Sequence, residues 1–327
     1  MACICLIGFA LRAIKNLRAV MFSFIIRRLL SAIPTLLILI LISFALMRLA
    51  PGSPFLTERG LPPEVIENLE MKYGLDQSWP LQLFSYLKGI VFEFDFGPSF
   101  KYTDRTVNDI IAQGFPVTLT YGIWAFIVAV VVGLSLGITA AVKQNSAFDY
   151  IAVGISIGAQ VLPNFVMAPI LVLIFTLWLG WLPGGGWNGG QWQYVIMPVI
   201  ALSTSFMASI ARISRSSMLE VLNSNFIRTA KAKGLPMRSI IFRHALKPAL
   251  LPVISYLGPT FVTMITGSVI VDIYFSTGGM GQFFVDAALN RDYSLLMGVT
   301  ILFGVMTILF NAIVDILYAW LDPKIRL

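Results

Sequence analysis

The chain has 327 residues, of which 57% are hydrophobic and only 12% charged, and its mean hydropathy is +0.84. Soluble domains carry about 25% charged residues, so a water-soluble enzyme and a soluble core on a single anchor are both excluded. The 23 Lys/Arg exceed the 16 Asp/Glu, but the surplus is spread over short loops between apolar segments, and no nucleic-acid partner is expected.

Residues 1–20 are basic and mildly amphipathic, with Arg12, Lys15 and Arg18, and show no small-residue cleavage site before the next apolar segment. They read as an N-terminal extension or the product of an upstream start codon, and Met21 opens a better-defined membrane protein. Cys3 and Cys5 lie in this stretch and form no disulfide framework. Six apolar segments follow, roughly 31–49, 117–142, 151–182, 194–211, 250–271 and 296–320. A helix crossing a bilayer needs about 20 mainly apolar residues. The third segment is too long for one straight span and too short for two. Pro163, Asn164 and Pro169 interrupt it, so one tilted or kinked helix is expected there. The organisation is thus a first transmembrane helix within 21–50, an external region 51–116, a transmembrane core 117–320 and a tail 321–327. Within the external region, 63–73 followed by Gly74, and 80–88, read as short helices.

Orientation follows from Lys and Arg. Arg27 and Arg28 precede the first span, loop 212–249 holds eight Lys/Arg against Glu220 alone, and the tail carries Lys324 and Arg326. Loop 51–116 holds nine acids against five bases, loop 183–193 has no charge, and loop 272–295 holds three acids against one base. Six spans with both termini in the cytoplasm satisfy this pattern, and place loop 212–249 inside the cell.

That loop is the most informative stretch of the chain. Residues 226–233 are helix-compatible, Gly234 suits the left-handed residue that ends a helix, and Pro236 suits a first helical position. Met237, Ile240, Ile241 and Ala245 then recur on one helical face, with Arg238, Arg243 and Lys247 mostly off it. By charge alone, a basic cytoplasmic loop lying on anionic lipid is the better account. The helix–Gly–helix punctuation favours a docking element instead. In that reading Phe226 and Ile227 pack into a partner while Arg228, Lys231 and Lys233 set register.

Ionisable groups are scarce within the spans. Arg48 stands near the outer end of the first and Asp315 near the inner end of the last, where a helix-end hydrogen bond near the headgroups accounts for it. None is expected mid-span, which argues against an ion-coupled carrier. The fifth span carries Gly258, Pro259, Thr260, Thr263, Thr266, Gly267 and Ser268. Close helix packing explains most of these; Thr263, Thr266 and Ser268 are also candidates to line a pathway for an uncharged polar solute. Loop 183–190, with Trp181 and Trp187 beside its glycines, reads as an interfacial turn or a contact for a partner outside. Loop 276–282 reads as an outer gate or an ordinary reversal. No G-x-x-x-x-G-K-[ST] loop occurs, since no glycine is followed by lysine, so any ATP that drives this chain is held by another.

The residues Arg228-Thr-Ala-Lys-Ala-Lys-Gly234-Leu-Pro resemble the cytoplasmic coupling motif of binding-protein-dependent ABC importer permeases. Arg228-Thr229-Ala230 stands where that family has Glu-Ala-Ala, Gly234 matches its glycine, and Leu246 its leucine, while the following proline falls one residue late, at Pro248. Further stretches are similar to the peptide-importing branch, the oligopeptide importers above all. These are Met47-Arg-Leu-Ala-Pro-Gly-Ser-Pro54, Asp95-Phe-Gly-Pro-Ser99, Leu182-Pro-Gly-Gly-Gly-Trp-Asn-Gly-Gly190, Ala288-Leu-Asn-Arg-Asp-Tyr-Ser294 and Asn311-Ala-Ile-Val-Asp315. The resemblance runs from about Met21 to Leu327.

It implies an all-α type I ABC importer permease in a bacterial inner membrane, binding no cofactor itself. Its implied partners are a second related permease, two ATPase subunits that hold ATP and magnesium, an external peptide-binding protein, the peptide and membrane lipid. The coupling residues it implies are Phe226, Ile227, Arg228, Thr229, Ala230, Lys231, Lys233, Gly234, Leu235, Pro236, His244, Leu246 and Pro248. The same machinery importing dipeptides, nickel or another solute stays open. A self-sufficient channel or carrier and a non-transporting scaffold are the readings from other classes.

Overall fold

The computed structural model describes residues 30–49, 55, 62–102, 104–266 and 268–321. The readings placed on 1–29, on 50–54, on Gly267 and on the tail from 322 lie outside the described residues, as does the side chain of Asp315. Apart from one isolated bridge between Pro98 and Thr106, the regular structure among the described residues is helical.

Helix α1 (Leu30–Leu49) is the first apolar helix. Two short helices follow, α2 (Pro63–Lys72) and α3 (Trp79–Lys88). Helix α4 (Val107–Val142) is far longer than the expected second span, because Thr106 caps it and exchanges hydrogen bonds with Asp109 in a capping box. Its first turns therefore take up the end of the region read as an external loop. Helices α5 (Ala147–Val161) and α6 (Asn164–Val172, continued by a π-helical turn to Trp178) together form the third segment. They meet at 103°, so the segment is a sharply bent helix pair and not the one tilted or kinked helix expected. The cause is local. Leu162, ahead of Pro163, is extended (ψ 112°), and Pro163 has no N–H for the Ala159 carbonyl. The Ser205 hydroxyl reaches that carbonyl (3.5 Å) and the Asn164 side chain (3.4 Å) from the neighbouring helix.

That neighbour is α7 (Trp192–Leu222), which runs well past Ala211, where the fourth span was expected to end. Helix α8 (Asn225–Ala232) and α9 (Met237–Ser239) lead through a π-helical turn, Ile240–Ala245, into α10 (Leu246–Thr266) and α11 (Val269–Phe275). Helices α12 (Met280–Leu289) and α13 (Tyr293–Leu321) complete the chain. Five helical stretches are long and apolar enough to cross a membrane, and the bent pair makes a sixth crossing if it counts as one span. The short helices gather at two ends of the bundle. One end is acidic, built from α2, α3 and α12 with their loops, and the other is basic, built around α8 and α9.

The principal packing is α4 against α7. Buried Ala125, Ala129, Gly133, Gly137 and Ala140 make a small-residue stripe on α4, facing Ala201, Ala208, Ala211 and Ser214 on α7. A Cβ on Gly133 would lie 2.8 Å from the Met207 carbonyl oxygen and 2.9 Å from Ile210, and one on Gly137 would overlap Ser214 and the Ala211 carbonyl. The two backbones meet where no side chain separates them. Core side chains Tyr121, Met197, Leu202, Ile210, Val253, Met264 and Phe275 fill the rest of the central cluster.

At the acidic end one buried carboxylate organises the chain reversal after α11. Asp272 is fully buried inside the helix, although the sequence reading placed it in an outer loop. Oδ1 accepts from the Tyr121 and Thr277 hydroxyls, and Oδ2 from the Gly281 N–H (2.9 Å) and the Ser268 hydroxyl (3.2 Å). Thr118 on α4 accepts from the Met280 N–H at 2.8 Å. Loop 276–282 is thus pinned at both ends, and four donors saturate the acid. A buried carboxylate is tolerable only when satisfied in this way.

Gly137→Ala should cost about 1–3 kcal/mol by forcing α4 from α7, read as a lower melting temperature in detergent. Gly154→Ala, where a Cβ meets nothing within 4 Å, should be neutral or better; equal melting for both would contradict the close approach. Asp272→Ala should lose about 3 kcal/mol because it strands buried donors, while Asp272→Asn, which keeps the shape and one acceptor, should lose less. The ranking wild type, Asn, Ala in thermal unfolding is the check.

Candidate functional site

The basic end is assembled from the sequence pattern upward. Ser224 is extended (ψ 157°) and starts α8 directly after α7. At the other end of α8 the Gly234 N–H bonds the Lys231 carbonyl (2.9 Å) and the Leu235 N–H bonds the Ala230 carbonyl (3.3 Å). This pair of bonds is the Schellman motif, and it places Gly234 at φ 72°, where L side chains are strained. Pro236 follows as the N-cap of α9, not as its first helical residue. The π-helical turn at 240–245 takes up one residue more than an α turn, and lies between Gly234 and the proline that stands one residue late at Pro248.

Helix α8 is strongly two-faced. Ile227 and Ala230 are buried among Ala141 of α4, Met218 and Leu222 of α7, and Ile240, Ala245 and Ala249. Ile227 is therefore a fastener within the chain and is not free to enter a partner, contrary to the sequence reading; Ala230 is held likewise. Their three-residue spacing puts them on one face, and Phe226, Arg228, Thr229, Lys231 and Lys233 on the others, exposed. Phe226 is 49% exposed, with Leu235 at 37%, Met237 at 40% and Phe242 at 70%. Pro236 and His244 are exposed, while Leu246 and Pro248 are half-buried where α10 begins. The end thus presents apolar side chains set among cations, the composition of a docking patch more than of a solvated loop.

One ion pair braces this end. Asp149, on the first turn of α5, accepts from Arg215 Nε (2.6 Å) and Nη2 (2.8 Å) and from the Asn145 N–H (3.0 Å). The carboxylate side chain is 2% exposed and the guanidinium 28%. This bidentate pair ties α5 to α7. Sequence reasoning missed it because 66 residues separate the partners. The Ser146 cap with Asp149 three residues on marks the start of α5 but names no partner.

The pathway candidates do not gather as expected. Thr263 is exposed on α10 and its hydroxyl bonds the Pro259 carbonyl (2.8 Å); Thr266 is half-buried and bonds Val262 (3.0 Å). Ser268 is buried and serves Asp272, so it lines no open face. The exposed stripe of α10 is instead Pro252, Ser255, Pro259 and Thr263. Pro259 has no N–H to give the Ser255 carbonyl, which leaves hydrogen-bonding capacity along an otherwise apolar span. Of the loops at the acidic end, 183–190 is tied in by the Gly186 N–H to Phe275 O (2.6 Å), with Trp187 against the core and Trp181 exposed.

Comparison with known proteins agrees with this architecture. Residues 133–327 match the family described as binding-protein-dependent transport system inner membrane component, and residues 21–122 match its N-terminal companion. The oligopeptide transport system permease protein OppB of Salmonella typhimurium is 61% identical over 306 residues, covering 94% of this chain and 100% of that protein. OppB of Haemophilus influenzae is 60% identical with the same coverage. The dipeptide transport system permease protein DppB of Bacillus subtilis is 41% identical over 307 residues, 94% of this chain and 99% of that one. Among solved structures, an inward-facing MetNI methionine ABC transporter aligns at TM-score 0.56 and 17% identity, covering 65% of this chain and 96% of its own. At that identity the likeness concerns the fold alone. The chain belongs to the family of inner membrane components of binding-protein-dependent transport systems.

Proposed function

We propose that this chain is a membrane-spanning permease subunit of an ATP-driven oligopeptide importer in a bacterial inner membrane. The observation that carries the proposal is the basic end. It is a short amphipathic helix fastened by Ile227 and Ala230 and offering Phe226, Leu235 and Met237 between cations. The relatives at 60–61% identity are named for oligopeptide transport and the one at 41% for dipeptide transport, which favours the longer substrate. In this reading α8 and α9 sit in the cytoplasm and dock on an ATPase subunit that holds ATP and magnesium. A second permease completes the pathway, and a binding protein delivers peptide to the acidic end. Thr263, Ser255 and the free carbonyl of α10 offer a peptide backbone hydrogen bonds without a fixed charge. That suits a path that must pass many side chains.

The labour divides within α8, and two variants separate its faces. Phe226→Ala should leave melting unchanged and weaken retention of the ATPase subunits about 30-fold, the effect of a hot-spot aromatic worth about 2 kcal/mol. Ile227→Ala should instead lower the melting temperature, at about 2–5 kcal/mol for an emptied core site. Pull-down and thermal unfolding on both variants provide the measurement; the reverse assignment would sink the reading.

The substrate is tested by uptake of labelled di-, tri- and pentapeptides in cells with and without the gene. Loss of tri- and pentapeptide uptake, restored by the gene and abolished by energy depletion, is expected. Loss confined to dipeptides would move the substrate to the shorter class. Transport by the purified chain alone, without ATP, would replace the proposal with a self-sufficient channel or carrier.

A further inference from the structure

A half-open cleft of about 270 Å³ lies between α4, α5 and α7 near the basic end. Its wall is made by small side chains, Gly137 and Ala140 from α4 and Ala152 and Ser156 from α5, and Arg212 and Arg215 of α7 also line it. Arg215 has given Nε and Nη2 to Asp149. Arg212, three residues earlier, is exposed and has no hydrogen-bond or ion-pair partner among the described residues. An unpaired guanidinium beside an apolar cleft is a complementary half of an anionic amphiphile.

Its depth fits the same chemistry. From Trp192 to Arg212 is 20 residues of α7, or about 30 Å of helix, the thickness of a bilayer's hydrocarbon core. Trp192 and Trp181 are exposed at the acidic end, where indole rings settle at the membrane–water interface. Arg212 then falls at the opposite interface, level with lipid phosphates. Basic pockets between spans on the positively charged side are sites for anionic headgroups.

We propose that this cleft binds one anionic phospholipid. The phosphate oxygens accept hydrogen bonds from Arg212 and from the remaining Nη1 of Arg215, and an acyl chain lies along the Gly137–Ala152–Ser156 wall. Free phosphate would meet the same guanidinium but gain nothing from the apolar wall, so the lipid is the occupant. Seated there it touches the three helices that the α4–α7 crossing and the Asp149–Arg215 pair already hold together.

The test is native mass spectrometry of the full chain, purified in mild detergent with whatever subunits accompany it. The sample is exchanged against equal amounts of dioleoylphosphatidylglycerol and dioleoylphosphatidylcholine. One retained phosphatidylglycerol is expected, with little phosphatidylcholine. Arg212→Gln should reduce that retention about tenfold, the loss of a charge-assisted hydrogen bond, and Arg212→Lys should keep most of it. Ser156→Phe leaves the cation in place but fills the wall, and should also displace the lipid. Inorganic phosphate at millimolar concentration should not compete. Displacement by phosphate alone, equal retention of both lipids, or unchanged phosphatidylglycerol in both Arg212→Gln and Ser156→Phe would overturn the proposal.

Discussion

The close approach of α4 and α7 is the constraint on which the rest of the molecule depends. In water the hydrophobic effect would drive two apolar helices together whatever their side chains. In lipid that drive is absent, because hydrocarbon tails are as apolar as leucine, and association rests on packing and hydrogen bonds. Gly133 and Gly137 answer this by removing the only atoms that would hold the backbones apart. The contact then extends along both helices, and each emerges beyond the apolar core with its ends fixed relative to the other. Both ends of the bundle are built on that frame. Ala141 of α4 and Met218 of α7 receive Ile227 at the basic end. Thr118 and Tyr121 of α4 receive the loop after α11 at the acidic end.

The two ends use different physics for the same purpose. The basic end holds α8 by burying two small-to-medium apolar side chains and by one Schellman turn, with a single ion pair bracing α5. None of these interactions is individually large, and exposed cations surround them. The acidic end uses buried carboxylates, Asp272 with every acceptor position engaged and Asp292 accepting from the Ser99 hydroxyl and the Leu295 N–H, where an unpaired partner would be costly. The first arrangement fastens α8 to α4 and α7 through its apolar face. The second gives loop 276–282 a single geometry.

The sequence was most legible where a backbone demand selects a residue type. Gly234 announced a left-handed helix end, the apolar runs announced the long helices, and Pro163 marked where the third would break. The size of that break, 103°, did not follow, because a proline marks where a helix ends but not the direction in which the chain resumes. Helix lengths were underestimated for a related reason. Hydropathy sees only the part of α4 and α7 that is uniformly apolar, whereas Thr106 and the packing of Met218 and Leu222 extend them through polar stretches. The residues lost to sequence reading are those defined by a distant partner. Asp272 looked like a loop acid until Tyr121 was placed against it, and the pairing of Asp149 with Arg215 spans 66 residues that no local pattern links. Ile227 and Phe226 are adjacent and both large and apolar, so only the position of α8 on the bundle decides which one faces out.

The open stripe of α10 is unlike every packed surface described above. The packed faces set small residues against one another, as along α4 and α7, or bury large apolar side chains. Pro252, Ser255, Pro259 and Thr263 do neither. They are exposed, they alternate prolines with hydroxyl residues, and the prolines remove N–H donors that would otherwise close the helix's own carbonyls. A helix surface of this kind loses internal hydrogen bonds without gaining packing, so it is stable only because the other side of α10 is buried on α7 and α13. What the surface offers is a line of acceptors and adaptable hydroxyls with no net charge. A peptide backbone carries one N–H and one C=O per residue, proline apart, whatever its side chains. A path with fixed acidic or basic groups would sort peptides by charge, while a path of this chemistry would pass them by their common backbone. Under the proposed function, discrimination among peptides would then belong upstream of the bundle.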